Sequence, residues 1–261
     1  MPRILNEEIL SMDQLAEGIF RIVIKSEYTA KSAKPGQFVN IKCADGTDAY
    51  LRRPISICEI DKAAGTVTVI FQIKGRGTKY LAQKKKGDTI DMIAPLGCGV
   101  FSAEVNKRAV MVGGGIGIFP LLELSKQLSG KCENRTVILG FRNKELVVLE
   151  DEFKAACEAL KLATDDGSYG VKGFTTDLLE EEILKNGADI IYTCGPLSMI
   201  KKVVGLAEKY GINCEVSLEE RMGCGIGACL VCACKTRLGD EWEHSHVCFN
   251  GPVFNSKEVI F

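Results

Sequence analysis

The sequence predicts a multi-domain α+β protein that consists of an antiparallel β-barrel, a parallel α/β domain and a small C-terminal domain. Three observations predict this arrangement. Short β-rich runs fill the first hundred residues, strands and helices alternate through the middle, and cysteines crowd between residues 224 and 248. We place the domain boundaries at 1–102, 103–213 and 214–261.

The composition is that of a globular protein with many thiols. The chain has 261 residues, 46% of them hydrophobic, and a formal net charge of −1, which argues against nucleic acid as the main partner. Residues 1–10 lack the pattern of a secretory signal, and we expect no membrane span. We therefore expect a cytoplasmic protein, in which clustered thiols bind metal or act in redox chemistry rather than form disulfides.

The predicted barrel carries two segments suited to phosphate. Its β-rich runs, separated by Gly-, Pro- and Asp-rich turns, are 18–27, 37–42, 66–73 and 88–94. The segment Leu51–Ile57 places two adjacent arginines and then a serine on an apolar strand. In the segment Ile70–Thr78, a strand is followed by two glycines and a threonine hydroxyl, and a helix is predicted to start at Thr78. An arginine fork fits a pyrophosphate, and a helix start offers backbone N–H groups. The residues alone fit an ordinary strand edge and turn as well.

The middle of the chain alternates strands and helices around a glycine-rich turn. A strand over Lys107–Val112 leads into glycines at 113–117 and then a helical pattern, an order that cradles phosphate in nucleotide-binding proteins. The third glycine of Gly-x-Gly-x-x-Gly is missing, so a plain structural turn fits too.

Two further strands extend this pattern. Thr136–Phe141 ends before Arg142-Asn143-Lys144, where a ribose- or phosphate-reading group would lie, and a strand over Ala188–Thr193 ends in Cys194-Gly195-Pro196. A helix is predicted over Leu149–Leu160 and another through about Tyr210. Together these elements predict a Rossmann-like parallel sheet that binds a nucleotide at the carboxyl ends of its strands.

The C-terminal cysteines have a readable spacing. Cys224, Cys229 and Cys232 are separated by four and then two residues, and Cys248 follows at a distance, which is the plant-type arrangement for a 2Fe–2S cluster. The Gly-rich loop allows the backbone to wrap closely around such a core. A structural zinc site is the alternative, although zinc sites usually pair two Cys-x-x-Cys units or Cys with His. Cys234 falls outside the pattern, and the scattered cysteines other than Cys194 are interpreted as packing residues.

These features resemble the ferredoxin-reductase superfamily and, within it, the electron transfer subunits of class 1B dihydroorotate dehydrogenase (dihydroorotate dehydrogenase B). The motifs that carry the resemblance are Arg53-Pro54-Ile55-Ser56, Gly75-Arg76-Gly77-Thr78, Gly113-Gly114-Gly115-Ile116-Gly117 with Pro120, Cys194-Gly195-Pro196 with Met199, and Ser217-Leu218-Glu219-Glu220-Arg221-Met222-Gly223-Cys224.

The resemblance implies three binding sites and no catalytic proton-transfer residue. In the barrel, Arg53 would bind the FAD pyrophosphate and Ser56 the edge of the ring, while Ile55 replaces the superfamily's usual aromatic residue. The other residues implied at the FAD site are Pro54, Ile70, Phe71, Gln72, Gly77 and Thr78. The residues implied at the NAD site are Gly113, Gly114, Gly115, Gly117, Cys194, Gly195 and Pro196. The cluster ligands would be Cys224, Cys229, Cys232 and Cys248.

The resemblance also implies a function. The chain would be an oxidoreductase subunit that is both a flavoprotein and an iron–sulfur protein. It would carry electrons from the FMN of a catalytic dihydroorotate dehydrogenase subunit, through a 2Fe–2S cluster and FAD, to NAD⁺. This reaction would serve de novo pyrimidine (UMP) biosynthesis. It would form a heterotetramer with two copies of each chain, and the apolar residues of the cluster loop would dock on that partner. NADH is expected as the nicotinamide, although Arg142 and Lys144 leave NADPH open. The alternatives are a related reductase subunit that serves ferredoxin, sulfide or sulfite chemistry, and a zinc-stabilised binding module.

Overall fold

The first hundred residues form a closed antiparallel barrel, which confirms the predicted fold of this segment. The computed structural model describes residues 1–46, 48–103 and 108–261. The barrel has the strand order β1-β2-β5-β4-β3-β6. Its strands are β1 Arg3–Ala16, β2 Ile19–Lys25, β3 Phe38–Ile41, β4 Arg53–Asp61, β5 Thr66–Gln72 and β6 Thr89–Leu96, and its helices are α1 Glu27–Ser32 and α2 Arg76–Leu81.

The barrel interior follows from the alternation of side chains along each strand. On β5, Val67, Val69 and Phe71 belong to the buried core, whereas Ile70 and Gln72 lie on the opposite face. The same alternation on β3 and β4 sends every second residue outward, so the barrel has an apolar interior and a separate outer face that other segments can cover.

The second sheet is a seven-stranded, mainly parallel one, as the alternation of strands and helices predicts. Its order is β10-β9-β8-β7-β11-β12-β15, and only β15 pairs antiparallel. The strands are β7 Arg108–Gly114, β8 Asn134–Phe141, β9 Ala159–Thr164, β10 Val171–Lys172, β11 Ile190–Cys194, β12 Asn213–Ser217 and β15 Val253–Asn255. The helices are α3 Phe119–Gln127, α4 Glu150–Ala156, α5 Thr175–Asn186 and α6 Leu197–Lys209.

The strand order reverses at β7, which has β8 on one side and β11 on the other. In open α/β sheets, ligands bind at the carboxyl ends of the strands at such a switch point. The topology of the sheet therefore predicts a ligand site at the turns that follow β7 and β11. Lys107, with which the predicted first strand begins, lies outside the described residues.

The structure differs from the sequence prediction at several elements, of which one helix and one strand are examples. The helix predicted over Leu149–Leu160 ends at Ala156, because Cys157 adopts an extended backbone and β9 then pairs with β8. A short apolar run such as Ala159–Thr164 fits the periodicity of a helix or of a strand, and here its pairing with a neighbouring strand makes it a strand. Strand β1 was not predicted, since its charged residues at positions 7 and 8 obscure the alternation that buries Ile9.

The described residues form two compact units. One unit holds Met1–Val100, Glu219–Cys234 and Ser245–Pro252, and the other holds Phe101–Leu218, Lys235–His244 and Val253–Phe261. The C-terminal segment is therefore divided, with the cysteine loop in the barrel unit and parts of the hairpin β13 Ala233–Leu238 and β14 Glu241–His246 in the sheet unit. The three predicted domains are defined by the cofactor that each would bind, and this division stays a prediction.

None of the helices in the described part of the chain has the length and hydropathy needed to span a bilayer.

An ion pair at the rim of the sheet gives a test of the packing. The Arg135 guanidinium is almost buried and donates to Glu158 Oε2 at 3.0 Å and to Oε1 at 2.5 Å. Because it would leave the guanidinium without its counter-charge, Glu158→Gln should destabilise the fold by about 2 kcal/mol, a value between those of exposed and buried pairs. Thermal unfolding measures this change.

The pH dependence of this effect has a definite sign. The hydrogen bond from Arg135 lowers the pKa of the Glu158 carboxyl, so the stabilisation is present above the ordinary carboxyl pKa and is lost as pH falls through the lowered value. The difference between wild type and variant should therefore close at acid pH. Glu180→Gln is the control, since its partner Lys209 is exposed, and an equal loss in both variants would contradict the account.

Candidate functional site

Three of the predicted cluster cysteines lie on one loop whose backbone N–H groups face their sulfurs. The Sγ of Cys224 accepts hydrogen bonds from the N–H groups of Ile226 at 3.4 Å, Ala228 at 3.3 Å and Cys229 at 3.4 Å. The Cys224 N–H in turn donates to the Sγ of Cys229 at 3.3 Å. The loop therefore directs its donors at sulfur, which is the environment that stabilises thiolates.

Cys248 joins this set from a separate segment. Its Sγ accepts from the Gly227 N–H at 3.2 Å, and its own N–H donates to the Sγ of Cys232 at 3.4 Å. Gly225 and Gly227 have φ values of +75° and +82°, which side chains with a Cβ rarely adopt. The glycines thus allow the turns that bring the N–H groups to the sulfurs.

The donor set fits a 2Fe–2S core. Burial opposes ionisation of Cys224, but the N–H groups of Ile226 and Cys229 outweigh it and lower the pKa of the Cys224 thiol to about 7. Burial, and then the hydrogen bond with Cys232, raises the pKa of Cys248 to about 12, and a bound iron would remove that proton. No three His, Cys, Asp or Glu side chains of the described residues are arranged to hold one metal ion. This is compatible with the cluster, because its four ligands converge on two irons rather than on one point.

The remaining cysteines divide by burial. Burial raises the pKa of the Cys234 thiol to about 11, which suits a protonated residue that is not a ligand. Cys43, Cys58 and Cys214 are buried, as the packing interpretation requires. Cys98 is exposed, so that interpretation is wrong for this residue.

The predicted flavin residues lie on β4, β5 and the start of α2. On the outer face of the barrel, Ser56 pairs with Phe38 and Pro54 pairs with Asn40. The Arg53 side chain crosses to α2, where a Cβ on Gly77 would lie 2.8 Å from Arg53 Nε. The structure therefore brings the two predicted phosphate segments together, and glycine at 77 leaves room for the guanidinium.

Three residues of this group have specific placements. Phe71 stacks on Phe20 inside the barrel with ring centroids 5.8 Å apart, so only its backbone is available to a bound flavin. Ile55 packs against the barrel core. Thr78 Oγ1 accepts from the N–H groups of Lys74 at 2.9 Å and of Gly75 at 3.2 Å, and helix α2 begins at Arg76 rather than at Thr78. The phosphate role of Thr78 stays a prediction.

The two predicted nicotinamide motifs lie side by side after β7 and β11. Cys194 pairs with Gly113 across the strands. A Cβ on Gly117 would lie 2.4 Å from the Cα of Gly195, and a Cβ on Gly114 would lie 3.0 Å from Pro196 Cδ. Glycine at these positions lets the backbones approach closely at the switch point of the sheet, where a dinucleotide would bind.

Two buried polar atoms near these strand ends fit a nucleotide. Thr193 Oγ1, one residue before Cys194, and Asn143 Oδ1, just after β8, have no hydrogen-bond partner among the described residues. A buried polar atom without a partner costs about 1–3 kcal/mol, and a bound polar ligand would relieve that cost. Sequence reasoning missed Thr193, whose position at the end of a buried strand is its only signal. Arg142 and Lys144 follow β8 and are exposed.

Two family models match the chain. The iron–sulfur cluster binding domain of dihydroorotate dehydrogenase B matches residues 219–260, and an oxidoreductase NAD-binding domain matches residues 111–205.

Curated proteins match over nearly the full length. The dihydroorotate dehydrogenase B (NAD⁺) electron transfer subunit of Geobacillus thermodenitrificans is 43% identical over 97% of this chain and 96% of its own length. The subunit of the same name from Fusobacterium nucleatum is 44% identical over 94% of each chain.

Solved structures share the fold. A structure of an NADH-dependent reduced ferredoxin-NADP oxidoreductase has a TM-score of 0.86 and 32% identity, covering 97% of this chain and 89% of its own. A ferredoxin NADP⁺ reductase from Neisseria gonorrhoeae with bound FAD and NADP has a TM-score of 0.67 at 18% identity, covering 80% of this chain and 92% of its own, which shows the fold alone.

The close approach of the two nicotinamide motifs predicts the effect of one methyl group. Gly117→Ala should reduce kcat/KM for NADH by about 10- to 100-fold, because displacing the turn by an ångström misplaces a bound dinucleotide. Flavin reduction by NADH measures this loss, and reduction by dithionite should stay intact. Gly205→Ala on α6 is the control, since no described atom beyond its chain neighbours and its own helix backbone lies within 4 Å of its added Cβ. An unchanged kcat/KM in Gly117→Ala would remove the turn from the site.

The cysteine assignments predict that the cluster can be lost while the flavin stays bound and reducible. Cys229→Ser should lose the visible absorption and EPR signal of the cluster, because it removes one of four ligands, while NADH still bleaches the flavin. Cys234→Ser is the matched control and should keep both. Loss of cluster and flavin together in Cys229→Ser, or cluster loss in Cys234→Ser, would contradict the assignments.

Proposed function

Because the chain belongs to the family of dihydroorotate dehydrogenase B electron transfer subunits, we propose that it carries electrons from the FMN of a catalytic partner subunit, through a 2Fe–2S cluster and FAD, to NAD⁺. This step serves de novo pyrimidine (UMP) biosynthesis. The observation that carries the proposal is the loop of cysteine sulfurs and N–H donors, in one chain with a flavin-type barrel and a dinucleotide-type sheet.

The cofactors supply the redox chemistry: a flavin exchanges electrons in pairs with a nicotinamide and singly with an iron–sulfur centre. The side chains and backbone of this protein bind and orient. Loop N–H groups hold the cysteine sulfurs, and the turns after β7 and β11 hold the dinucleotide. Arg53 places a positive charge beside Gly77, where the flavin pyrophosphate would lie.

The family name implies a catalytic partner that supplies the electrons. We propose two copies of each chain in the assembly, which the mass of the purified complex tests. We also propose a cytoplasmic location, because clustered cysteines that bind metal rather than form disulfides are typical of a reducing compartment.

The surface around the cluster cysteines supports the docking of that partner. The exposed fractions are 47% for Ile226, 59% for Leu230, 59% for Val231 and 55% for Phe249. Leu230 also has a φ of +60°, a conformation that a leucine adopts at a cost. Grouped apolar side chains exposed at the edge of a redox centre favour an interface with another protein.

A second candidate function is that of a reductase subunit that serves ferredoxin. The observation that favours it is the 32% identity and TM-score of 0.86 with the NADH-dependent reduced ferredoxin-NADP oxidoreductase. The dihydroorotate dehydrogenase subunits have the higher identity, 43% and 44%, over 97% and 94% of this chain, which favours the first proposal. Turnover with each purified partner separates the two.

The proposal predicts a coloured protein. The purified chain should show flavin and iron–sulfur absorption, and NADH should bleach both under anaerobic conditions. Iron and flavin analysis should find both cofactors bound. A colourless protein that contains zinc would support the non-enzymatic module instead.

The apolar surface predicts the effect of one charge on assembly. Leu230→Glu should weaken binding to the catalytic partner by about tenfold or more, because it buries a carboxylate against apolar groups. Calorimetry or surface plasmon resonance measures the Kd. Leu184→Glu on α5 is the control, since this leucine is 70% exposed on the other compact unit. If both substitutions weakened binding equally, or if neither weakened it, the interface would lie elsewhere.

A further inference from the structure

Asn40 on β3 joins the cluster loop to the barrel. Its Nδ2 donates a hydrogen bond to the backbone carbonyl of Cys224 at 2.9 Å. The residue is only 1% exposed. A Cβ on Gly225 would lie 2.4 Å from the same Nδ2, so the loop approaches the amide as closely as a glycine allows.

Asn40 lies on the face of the barrel that carries the proposed flavin residues. It pairs with Pro54 across β3 and β4, and its neighbour on the same face, Phe38, pairs with Ser56. Directly paired residues of adjacent strands project to the same side of a sheet. Asn40 is therefore paired with β4, which would bind the flavin, and hydrogen-bonded to Cys224, which would bind the cluster.

The second cluster segment reaches the same side of the barrel through its backbone. The N–H of Cys98 donates to the carbonyl of Phe249 at 3.1 Å, and the N–H of Gly99 donates to that of Gly251 at 2.9 Å. These bonds hold the segment that carries Cys248. The bond from Asn40 holds the loop that carries the other three cysteines.

An amide at this buried position is costly unless its hydrogen bond is needed. Asn40 Oδ1 is buried and has no hydrogen-bond partner among the described residues. A leucine would fill a similar volume without an unpaired amide oxygen, but it would leave the Cys224 carbonyl without the bond from Nδ2. The gain from asparagine is therefore the bond that Nδ2 donates to the cluster loop.

We propose that Asn40 is a positioning residue that fixes the cluster loop on the flavin-binding face of the barrel. It acts through the carbonyl of Cys224, so that the cluster keeps one distance and orientation with respect to the flavin. This inference rests on the proposed function, because it assigns a use to Asn40 only if both groups are bound.

The test compares Asn40→Leu with wild type as purified holoprotein. Removing one hydrogen bond should shorten the half-life of the cluster in the presence of an iron chelator by about 2- to 10-fold. The EPR line shape of the dithionite-reduced cluster should change. Under anaerobic NADH, flavin bleaching should keep its rate, while cluster bleaching should slow relative to it.

Ser26→Ala is the matched control. Ser26 is fully buried in the barrel unit and its hydroxyl donates to Glu7 Oε1 at 2.9 Å, at a site on the α1 side of the barrel. It should lower the Tm without changing the cluster's EPR spectrum or half-life. If Asn40→Leu lowers the Tm far more than Ser26→Ala does, Asn40→Ala is measured in the same way, since it removes the amide and puts no other atoms in its place.

The outcomes separate the two proposals. A wild-type protein with no NADH-reducible cluster overturns the proposed function, and the role of Asn40 with it. A wild-type cluster that NADH reduces, together with an Asn40 variant whose EPR spectrum and cluster half-life match wild type, overturns the role of Asn40 alone. The same changes in Ser26→Ala and the Asn40 variant would show a general effect of barrel stability and would also overturn it.

Discussion

The hydrogen bonds from backbone N–H groups to cysteine sulfurs are the constraint on which the proposed site depends. Four thiolates brought together would repel one another, and the donors of the cluster loop offset that repulsion. The Cys224 sulfur alone accepts three such bonds. The loop can supply them only because glycines at 225 and 227 adopt positive φ values. The spacing of the cysteines and the positions of the glycines are thus one structural requirement.

The same principle of close backbone approach organises the sheet unit. Gly117 and Gly195 leave no room for a side chain between the turns that follow β7 and β11. These turns meet where the strand order reverses, so the geometry that admits a dinucleotide is a property of the topology and the glycines together. Thr193 and Asn143 add polar atoms at the strand ends that have no hydrogen-bond partner within the described part of the chain. In both units the backbone supplies much of the binding surface.

Features that local sequence patterns carry could be predicted, whereas specific contacts between distant residues could not. The spacing of the loop cysteines, the glycine turn and the barrel's β-rich runs are each patterns within a short stretch of sequence. Strand β9 was missed because its apolar run suits a helix until it pairs with β8. Asn40 carried no signal, since its partner Cys224 is far along the chain and only the folded barrel brings them together. The one sequence signal of Thr193 is its place at the end of a buried strand, and only the fold shows that its hydroxyl lacks a hydrogen-bond partner among the described residues.

In the proposed function, this chain passes electrons between a catalytic partner and NAD⁺ through its own cluster. The most direct measurement is anaerobic formation of NADH from dihydroorotate and NAD⁺, with the purified chain and the purified FMN-containing subunit. NADH should form only when both chains are present, and none should form when Cys229→Ser replaces the wild type. NADH formed by either chain alone, or at an undiminished rate with Cys229→Ser, would contradict the proposed function.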